Sequence, residues 1–432
     1  MTAEGIRAVN GLAGKYEIAG ALRLEADKDA GKPEFNQLNI TYTSTAPLKL
    51  TLEFQEGETD TLYIGRASEP AALRFLMKGY TEGKPASGLA AIEFTVLEGE
   101  KGSLGLYFFG VSVRKPLTDG MVYIESERYK VGSYLIWGGG LSYIEDKRLS
   151  LSEFRNLLNH ADTGRLVQQS YYGTSRPPYV KGEFMGNPWP YNPVQGGDRG
   201  NNRSRLIDFS ASAKEIYVKC QPRDWGHDGS ITPSYMENRY LIDGDAIRVD
   251  NAFTDFSGYD NPCTTQELPA FYVVSGLDRF VYYAKDRPWT GDGPLTVEDG
   301  LPFWAGGVPE CYCSFKGKDA ENWCAWVNSD GYGLGLFVPS ADTMVKGRFS
   351  YSGTYDPSAG PTNYVAPLRR LKLLSYRTLR YSYLMVSGHI DEIRSVFTRR
   401  RKEITNSELD RFDPNSDSGI FEGTRSDTGS GS

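Results

Sequence analysis

The sequence predicts an all-β protein: an N-terminal, jelly-roll-like β-sandwich followed by a large antiparallel β-supersandwich, with few helices. Three observations predict it. Short alternating runs follow one another from residue 36 onward, as where Leu48, Leu50, Leu52 and Phe54 alternate with Lys49, Thr51 and Glu53. A period of two marks a strand with one wet face. Aromatic residues make up 13% of the chain, 28 of them Tyr, and Tyr and Phe suit strands. Turn residues punctuate the runs. Asp243-Gly244-Asp245 reads as a hairpin turn because Asp-Gly tolerates positive φ.

Taken in order, strands are expected at about 38–43, 48–54, 61–64, 73–77, 92–97 and 104–113, which together make one sandwich. This part holds no His and no cluster of convergent acids, so it reads as an accessory unit, residues 1–120. A second set starts near Met121. Gly138, Gly139 and Gly140 interrupt a strand, a sign of close backbone approach. Further strands are expected near 215–219, 237–241, 246–252, 271–274, 279–283, 324–328, 333–338 and 378–386. A short helix is expected at 152–159 and a longer one at 390–402. The second unit, 121–405, carries the chemistry, and 406–432, rich in Ser, Gly and Asp, reads as a disordered tail.

The totals exclude several functions. The chain has 432 residues, 39% hydrophobic and 24% charged, with a net charge of −7. The one basic run, Arg399 to Lys402, falls at a helix end, where the macrodipole favours cations, and reads as solvated. Nucleic acid is therefore not an expected partner. No stretch approaches the roughly 20 apolar residues a bilayer span needs, so no membrane partner is expected. The first fifteen residues lack a secretory pattern; a secreted or periplasmic location would require a leader outside this sequence, and the cytoplasm is expected otherwise. Five Cys rule out a disulfide-stapled scaffold, though one bridge involving Cys324 stays open. Cys311 and Cys313 should share a strand face. With three His in the chain and no Cys pairs at zinc spacing, neither a metal nor a cofactor is expected. Nothing excludes an oligomer.

One segment breaks the alternation. Residues 156–173, NLLNHADTGRLVQQSYYG, crowd Asn159, His160, Asp162, Arg165, Gln168, Gln169 and Tyr172 without a period, and a long polar loop inside a compact domain is usually functional. Asp162 and Arg165 are close enough to pair, which would keep the carboxylate ionised; a purely structural clasp is the competing reading. The following NPWPYNPVQGGD fixes Trp189 and Tyr191 between prolines as sugar platforms, with Gln195 and Asp198 to bond hydroxyls. A core role for Trp189 is the alternative. Further on, Glu267 in TTQELPAFYV enters an apolar strand, where partial desolvation would raise its pKa as a general acid requires. His227 in RDWGHDGS is a candidate base, Glu237 a reserve acid. The strip 347–367 adds Tyr364, with Tyr355 and Asn363, to close the cleft. His389 reads as structural, at a helix start. The Asp residues of 243–255 fit turns better than a Ca²⁺ site.

The stretches GDAIRVDNAFTDFSG (244–258), QELPAFYV (266–273) and YSYLMVSGHIDEIRSVF (381–397) resemble the galactose-mutarotase-like β-supersandwich of carbohydrate-active enzymes. The resemblance covers about Tyr129 to Phe397, and DTGRLVQQSYYG and NPVQGGD look like loops of bacterial relatives that carry a front β-sandwich. It implies a poly- or oligosaccharide substrate. The His/Glu pair of mutarotases is not matched at both positions here, which points away from simple mutarotation. The expected reaction is glycoside hydrolysis with Asp162, Glu267 and His227 as catalytic groups. Polysaccharide β-elimination, with Asn159, Gln168 or Arg165 neutralising a uronate and Tyr172, Tyr240 or His227 as base, is the alternative. Non-catalytic sugar binding is the third.

Overall fold

Strand Leu48–Phe54 shows how the alternation becomes a core: Leu48, Leu50 and Leu52 are buried and the residues between them are not. It pairs antiparallel with Leu89–Val96 and with Thr59–Ile64. The computed structural model describes residues 7–9, 12–26, 34–149, 155–173, 182–184, 186–301, 311–314, 320–349 and 356–410. The first part of the chain stacks a four-stranded sheet, Ala21–Glu25, Leu89–Val96, Leu48–Phe54 and Thr59–Ile64, on a five-stranded one built around Lys101–Ser112 and Gln37–Ser44. The two share one apolar core that includes Leu50, Phe75, Ile92 and Phe94.

The later part stacks two larger antiparallel sheets. A nine-stranded sheet runs in the order Arg205–Ala211, Glu215–Gln221, Ser234–Asp243, Ala246–Asp255, Thr378–His389, Tyr332–Phe337, Ala320–Val327, Arg279–Ala284, Thr296–Glu298. A seven-stranded sheet faces it: Arg223–Asp224, Pro193–Val194, Gln168–Ser170, Thr264–Val274, Thr362–Leu371, Thr343–Phe349, Tyr312–Ser314. Residues from both, among them Met236, Val249, Phe271, Val273, Val365 and Met385, meet in one core. The expected all-β architecture is what the chain forms.

Several local expectations change. Residues 155–159 are not helical, and the rest of the expected 152–159 helix lies outside the described residues. Asn156 instead uses its amide to bond the backbone of Ile144 and Ser142 at 3.0 and 2.7 Å. The helix at Ile390–Arg400 does form, with the His389 side chain capping it by accepting from the Asp391 amide. It seats Ile393 and Phe397 over Gly335, where a Cβ would lie 2.4 Å from Ile393. Its basic end is not simply solvated. Arg400 is 7% exposed; it donates to the Asp243 carbonyl at 2.7 Å and to Asp245 at 3.1 Å, tying the helix to the Asp243–Asp245 hairpin. Packing also continues past residue 405: Ser407–Asp410 is a short helix with Leu409 fully buried, while 411–432 lie outside the described residues. All five cysteines are free thiols. Cys311 and Cys313 are each buried, but in different apolar clusters, and Cys311 precedes strand Tyr312–Ser314, so the expected shared strand face does not form.

The two sandwiches are keyed together through buried charge. Arg205, at the edge of the nine-stranded sheet, forms a two-pronged pair with Asp60 of the front sandwich, both bonds 2.7 Å long. Asp60 also accepts from the Lys78 amide at 2.9 Å. Next to it the Tyr235 hydroxyl accepts from the Tyr63 amide at 2.8 Å, and Tyr63 stacks on Phe256 with ring centres 5.3 Å apart. Removing one partner of a buried pair leaves the other charge uncompensated, a penalty of about 3–5 kcal/mol. Asp60→Ala should therefore lower the urea-unfolding free energy by about 3 kcal/mol. A loss below about 1 kcal/mol would mean the pair is screened like a surface ion pair.

Candidate active site

Strand Thr264–Val274 lies at the middle of the seven-stranded sheet and places Glu267 at the floor of a cavity of about 530 Å³. Its neighbours are Gln168–Ser170 on one side, with Ser170 opposite Glu267, and Thr362–Leu371 on the other, with Leu368 opposite it. The register then shifts between Glu267 and Phe271. Beyond the shift Ala270 and Tyr272 line the cavity, while Phe271 and Val273 are in the core.

Glu267 is half-buried, and its Oε1 accepts from the hydroxyls of Tyr364 at 2.6 Å and Tyr172 at 3.1 Å. Burial pushes its carboxyl above the usual Glu range. The hydrogen bonds from Tyr364, Tyr172 and Ser170 pull the other way without cancelling it. Burial, reinforced by the Glu267 carboxylate, pushes the phenols of Tyr172, Tyr272 and Tyr364 far above the usual Tyr range. The protonated forms are therefore the stable ones near neutral pH.

The walls are aromatic. Tyr272 and Tyr364, directly paired across two strands, have ring centres 4.7 Å apart, with Phe349 beside them at 6.2 and 6.1 Å. A second group lines the same cavity: Trp189 with Phe184 at 5.1 Å and Tyr172 at 6.3 Å, and Phe184 with Trp225 at 5.5 Å. The Trp189 indole donates to Asn192 at 3.1 Å, fixing the ring. Such faces cover apolar C–H surfaces while the hydroxyls stay available for polar contacts.

The candidates from the polar segments divide in two. Asp162, Arg165, Gln168, Tyr172, Trp189, Asp198, Glu267 and Tyr364 line the cavity. Asp162 and Arg165 do pair, at 3.2 Å, and Arg165 also reaches the Gly360 carbonyl. Gln168 and Asp198 are already committed. The Gln168 amide bonds the backbone of Thr163, Gly164 and Gly196. The Asp198 carboxylate is fully buried and takes the amides of Gly200, Asn202 and Gly229. They shape the wall from behind.

The remaining candidates lie outside the lining. Asn159 is fully buried and pins the carbonyls of Ala359 and Pro361. Gln169 and Gln195 are buried in the core: Gln169 donates to the Glu237 carbonyl at 2.9 Å, and Gln195 to the Gly138 carbonyl at 3.0 Å. Tyr191 is 1% exposed, packed in the core and not presented as a platform. Glu237 belongs to the nine-stranded sheet. Burial pushes its carboxyl up, but Lys219 and the Tyr217 hydroxyl outweigh this and hold it below the usual range. His227 sits in a turn with its Nδ1 2.6 Å from the Ser230 hydroxyl. Asn363 is buried, bonding the carbonyls of Ser275 and Leu277, and Tyr355 lies outside the described residues.

Sequence reasoning missed Tyr272, Trp225, Asn192 and Arg199 in the lining. The spacing of Tyr272 from Glu267 is odd, so strict alternation sends it to the other face, and only the register shift brings it back. Asn192 carried a readable signal, standing between Tyr191 and Pro193 in the loop already singled out. Behind it Asp224 accepts from the Asn192 amide at 3.1 Å, and burial pushes its carboxyl up to about 6. Among the described residues no group of three or more His, Cys, Asp or Glu is placed to hold a metal ion.

Folded Glu267 holds its proton more tightly than the unfolded chain does. Its contribution to stability is full below the ordinary Glu range and is lost as pH rises through the raised value. The Oε1 of a glutamine can accept both tyrosine hydroxyls without the charge. Glu267→Gln should therefore raise the thermal midpoint at neutral pH, and the gap should close below about pH 4. An unchanged gap at both pH values would show that charge burial is not its origin.

No protein-family model matches this sequence, and no curated protein matches it. Among solved structures, the chain is similar to a putative aldose 1-epimerase from Escherichia coli K12, with 11% identity over 62% of this chain and 99% of that one, at a TM-score of 0.38. It is similar to a galactose mutarotase-like protein from Lactobacillus casei, with 12% identity over 62% of this chain and 100% of that one, also at 0.38. A TPR-domain containing protein from Parabacteroides distasonis aligns over 85% of this chain and 55% of its own, with 12% identity and a TM-score of 0.35. At these scores the likeness is one of strand layout and carries nothing about the reaction.

Proposed function

We propose that the protein is a carbohydrate-active enzyme that hydrolyses a glycosidic bond in a poly- or oligosaccharide, with Glu267 as general acid. The observation that supports this most directly is a half-buried carboxyl with a raised proton affinity, held by two tyrosine hydroxyls inside an aromatic-walled cavity. In the step proposed, the Glu267 proton passes to the glycosidic oxygen as its bond to the anomeric carbon breaks. The Tyr172 and Tyr364 hydroxyls then stabilise the carboxylate left behind. Asp162, lining the same cavity, serves as the second carboxylate: it either takes the proton of the attacking water or itself adds to the anomeric carbon.

The alternative, elimination from a uronate, fits the same cavity less well. It needs a base, and every tyrosine around Glu267 has its phenol pushed up, away from acting as one. It also needs a cation for the sugar carboxylate. Arg165 is engaged with Asp162 at 3.2 Å and Arg199 with Asp228 at 3.0 Å.

A panel of neutral and uronic polysaccharides and oligosaccharides, read for reducing ends and ultraviolet absorbance together, tests the reading. New reducing ends without absorbance are expected. Both signals together would mean elimination, and no product would leave sugar binding alone. On an active substrate, Glu267→Gln should lower kcat by about 10²–10⁴-fold. The wild-type kcat/KM should fall as pH rises through the elevated Glu267 value, since the acid must arrive protonated. Near-normal turnover in the variant would remove Glu267 from the mechanism.

A further inference from the structure

We propose that Gln266 is a positioning residue that holds the Tyr172 hydroxyl on the carboxylate of Glu267. The inference rests on Glu267 being the proton donor, and it concerns how that donor is kept in tune. Strand Gln168–Ser170 ends at Ser170, and the chain leaves the ladder there. The next amides turn to a different segment: Tyr171 bonds the Pro193 carbonyl at 3.2 Å and Gly173 the Tyr191 carbonyl at 2.8 Å. Tyr172, between them, points its own amide and carbonyl back toward Thr264–Val274 without a backbone partner there.

The Gln266 side chain supplies both missing bonds. Its Oε1 accepts from the Tyr172 amide at 2.7 Å, and its Nε2 donates to the Tyr172 carbonyl at 2.8 Å. Gln266 is fully buried, so water does not compete for either bond. One primary amide thus imitates a residue of a neighbouring strand and continues the ladder past its end. Because Gln266 immediately precedes Glu267, the clamp and the carboxylate move together. The Tyr172 hydroxyl is delivered to Glu267 at 3.1 Å by this route, while the Tyr364 hydroxyl is delivered by an ordinary strand, Thr362–Leu371. Loosening the clamp should release one of the two hydroxyls and leave the other.

The test reads Glu267 itself, without substrate, by following its side-chain carboxyl carbon through a pH titration in ¹³C-Glu-labelled protein, with Glu267→Gln assigning the signal. Tyr172→Phe deletes a hydrogen bond to the charged form, so the Glu267 midpoint should rise, on the order of one pH unit. Gln266→Met should move it in the same direction. The double variant should show no further shift, since both changes remove one interaction. If Gln266→Met does not fold, Gln266→Asn keeps an amide in the core but is too short to span both backbone atoms, and the same rise is expected. A wild-type midpoint in the Gln266 variants, or shifts that simply add in the double variant, would overturn the proposal. Failure of the saccharide screen would sink the hydrolase reading and leave this titration standing.

Discussion

The register shift in strand Thr264–Val274 is the constraint on which the rest of the site depends. A regular strand sends residues 267, 269 and 271 to one face. Here Glu267 faces the cavity, then Ala270 and Tyr272 do, while Phe271 and Val273 turn into the core. The shift lets one central strand contribute an acid and an aromatic wall on the same side without opening the apolar layer beneath. Because the strand is paired on both sides, with Gln168–Ser170 and Thr362–Leu371, Glu267 and Tyr364 are held by ladders, and Tyr172, just past the end of Gln168–Ser170, is held by the Gln266 side chain. A site on such elements keeps its geometry better than one on mobile connections.

The same constraint separates what the sequence made legible from what it did not. Regular segments read well. The alternation at 48–54, the hairpin at Asp243-Gly244 with Gly244 at φ 62°, and the capped helix after His389 all follow from local chemistry. Glu267 was readable because an acid stands at the mouth of an apolar run. Tyr272 was not, since its place depends on a shift in pairing that no local residue announces. The polar run from Asn159 to Tyr172 misled in a different way. Crowded amides there and in the NPVQGGD loop that follows suggest hydroxyl recognition, but Asn159, Gln169 and Gln195 are fully buried and bond to backbone. Irregular segments leave carbonyls and amides outside any ladder, and each buried one needs a partner. Side-chain amides near such segments therefore serve the backbone as readily as a ligand, and sequence does not distinguish the two.

The front sandwich raises the opposite problem: its own chemistry was bland, and its role shows only in contacts. Asp60 looks like any turn-proximal acid, yet it meets Arg205 from a strand far along the chain. Asp208, three positions after Arg205 in the same strand, pairs with Arg74 and Arg114 of the front sandwich at 3.1 and 3.3 Å. Long-range ion pairs leave no periodic trace. Here they fix one sandwich against the edge of the nine-stranded sheet, away from the cavity in the seven-stranded one.

Within the cavity, the electrostatics point one way. Burial favours the neutral form of every acid it touches, and Glu267, Tyr172, Tyr272 and Tyr364 are all shifted upward. A cluster shifted in this direction holds its protons more tightly than exposed groups would and is poor at removing one. Once Glu267 gives up its proton, however, Tyr172 and Tyr364 are already oriented toward the oxygen that carries the new charge. The reorganisation is small because the donors are in place beforehand. That arrangement suits a group that must release a proton and take it back, and it leaves the role of base to a carboxylate in a different setting. Among the described residues, Asp162, paired with Arg165 at 3.2 Å, is the one lining acid that is neither part of the tyrosine cluster nor saturated by backbone amides as Asp198 is. Two acids in unlike surroundings, facing one cavity, is the division of labour that acid/base catalysis requires.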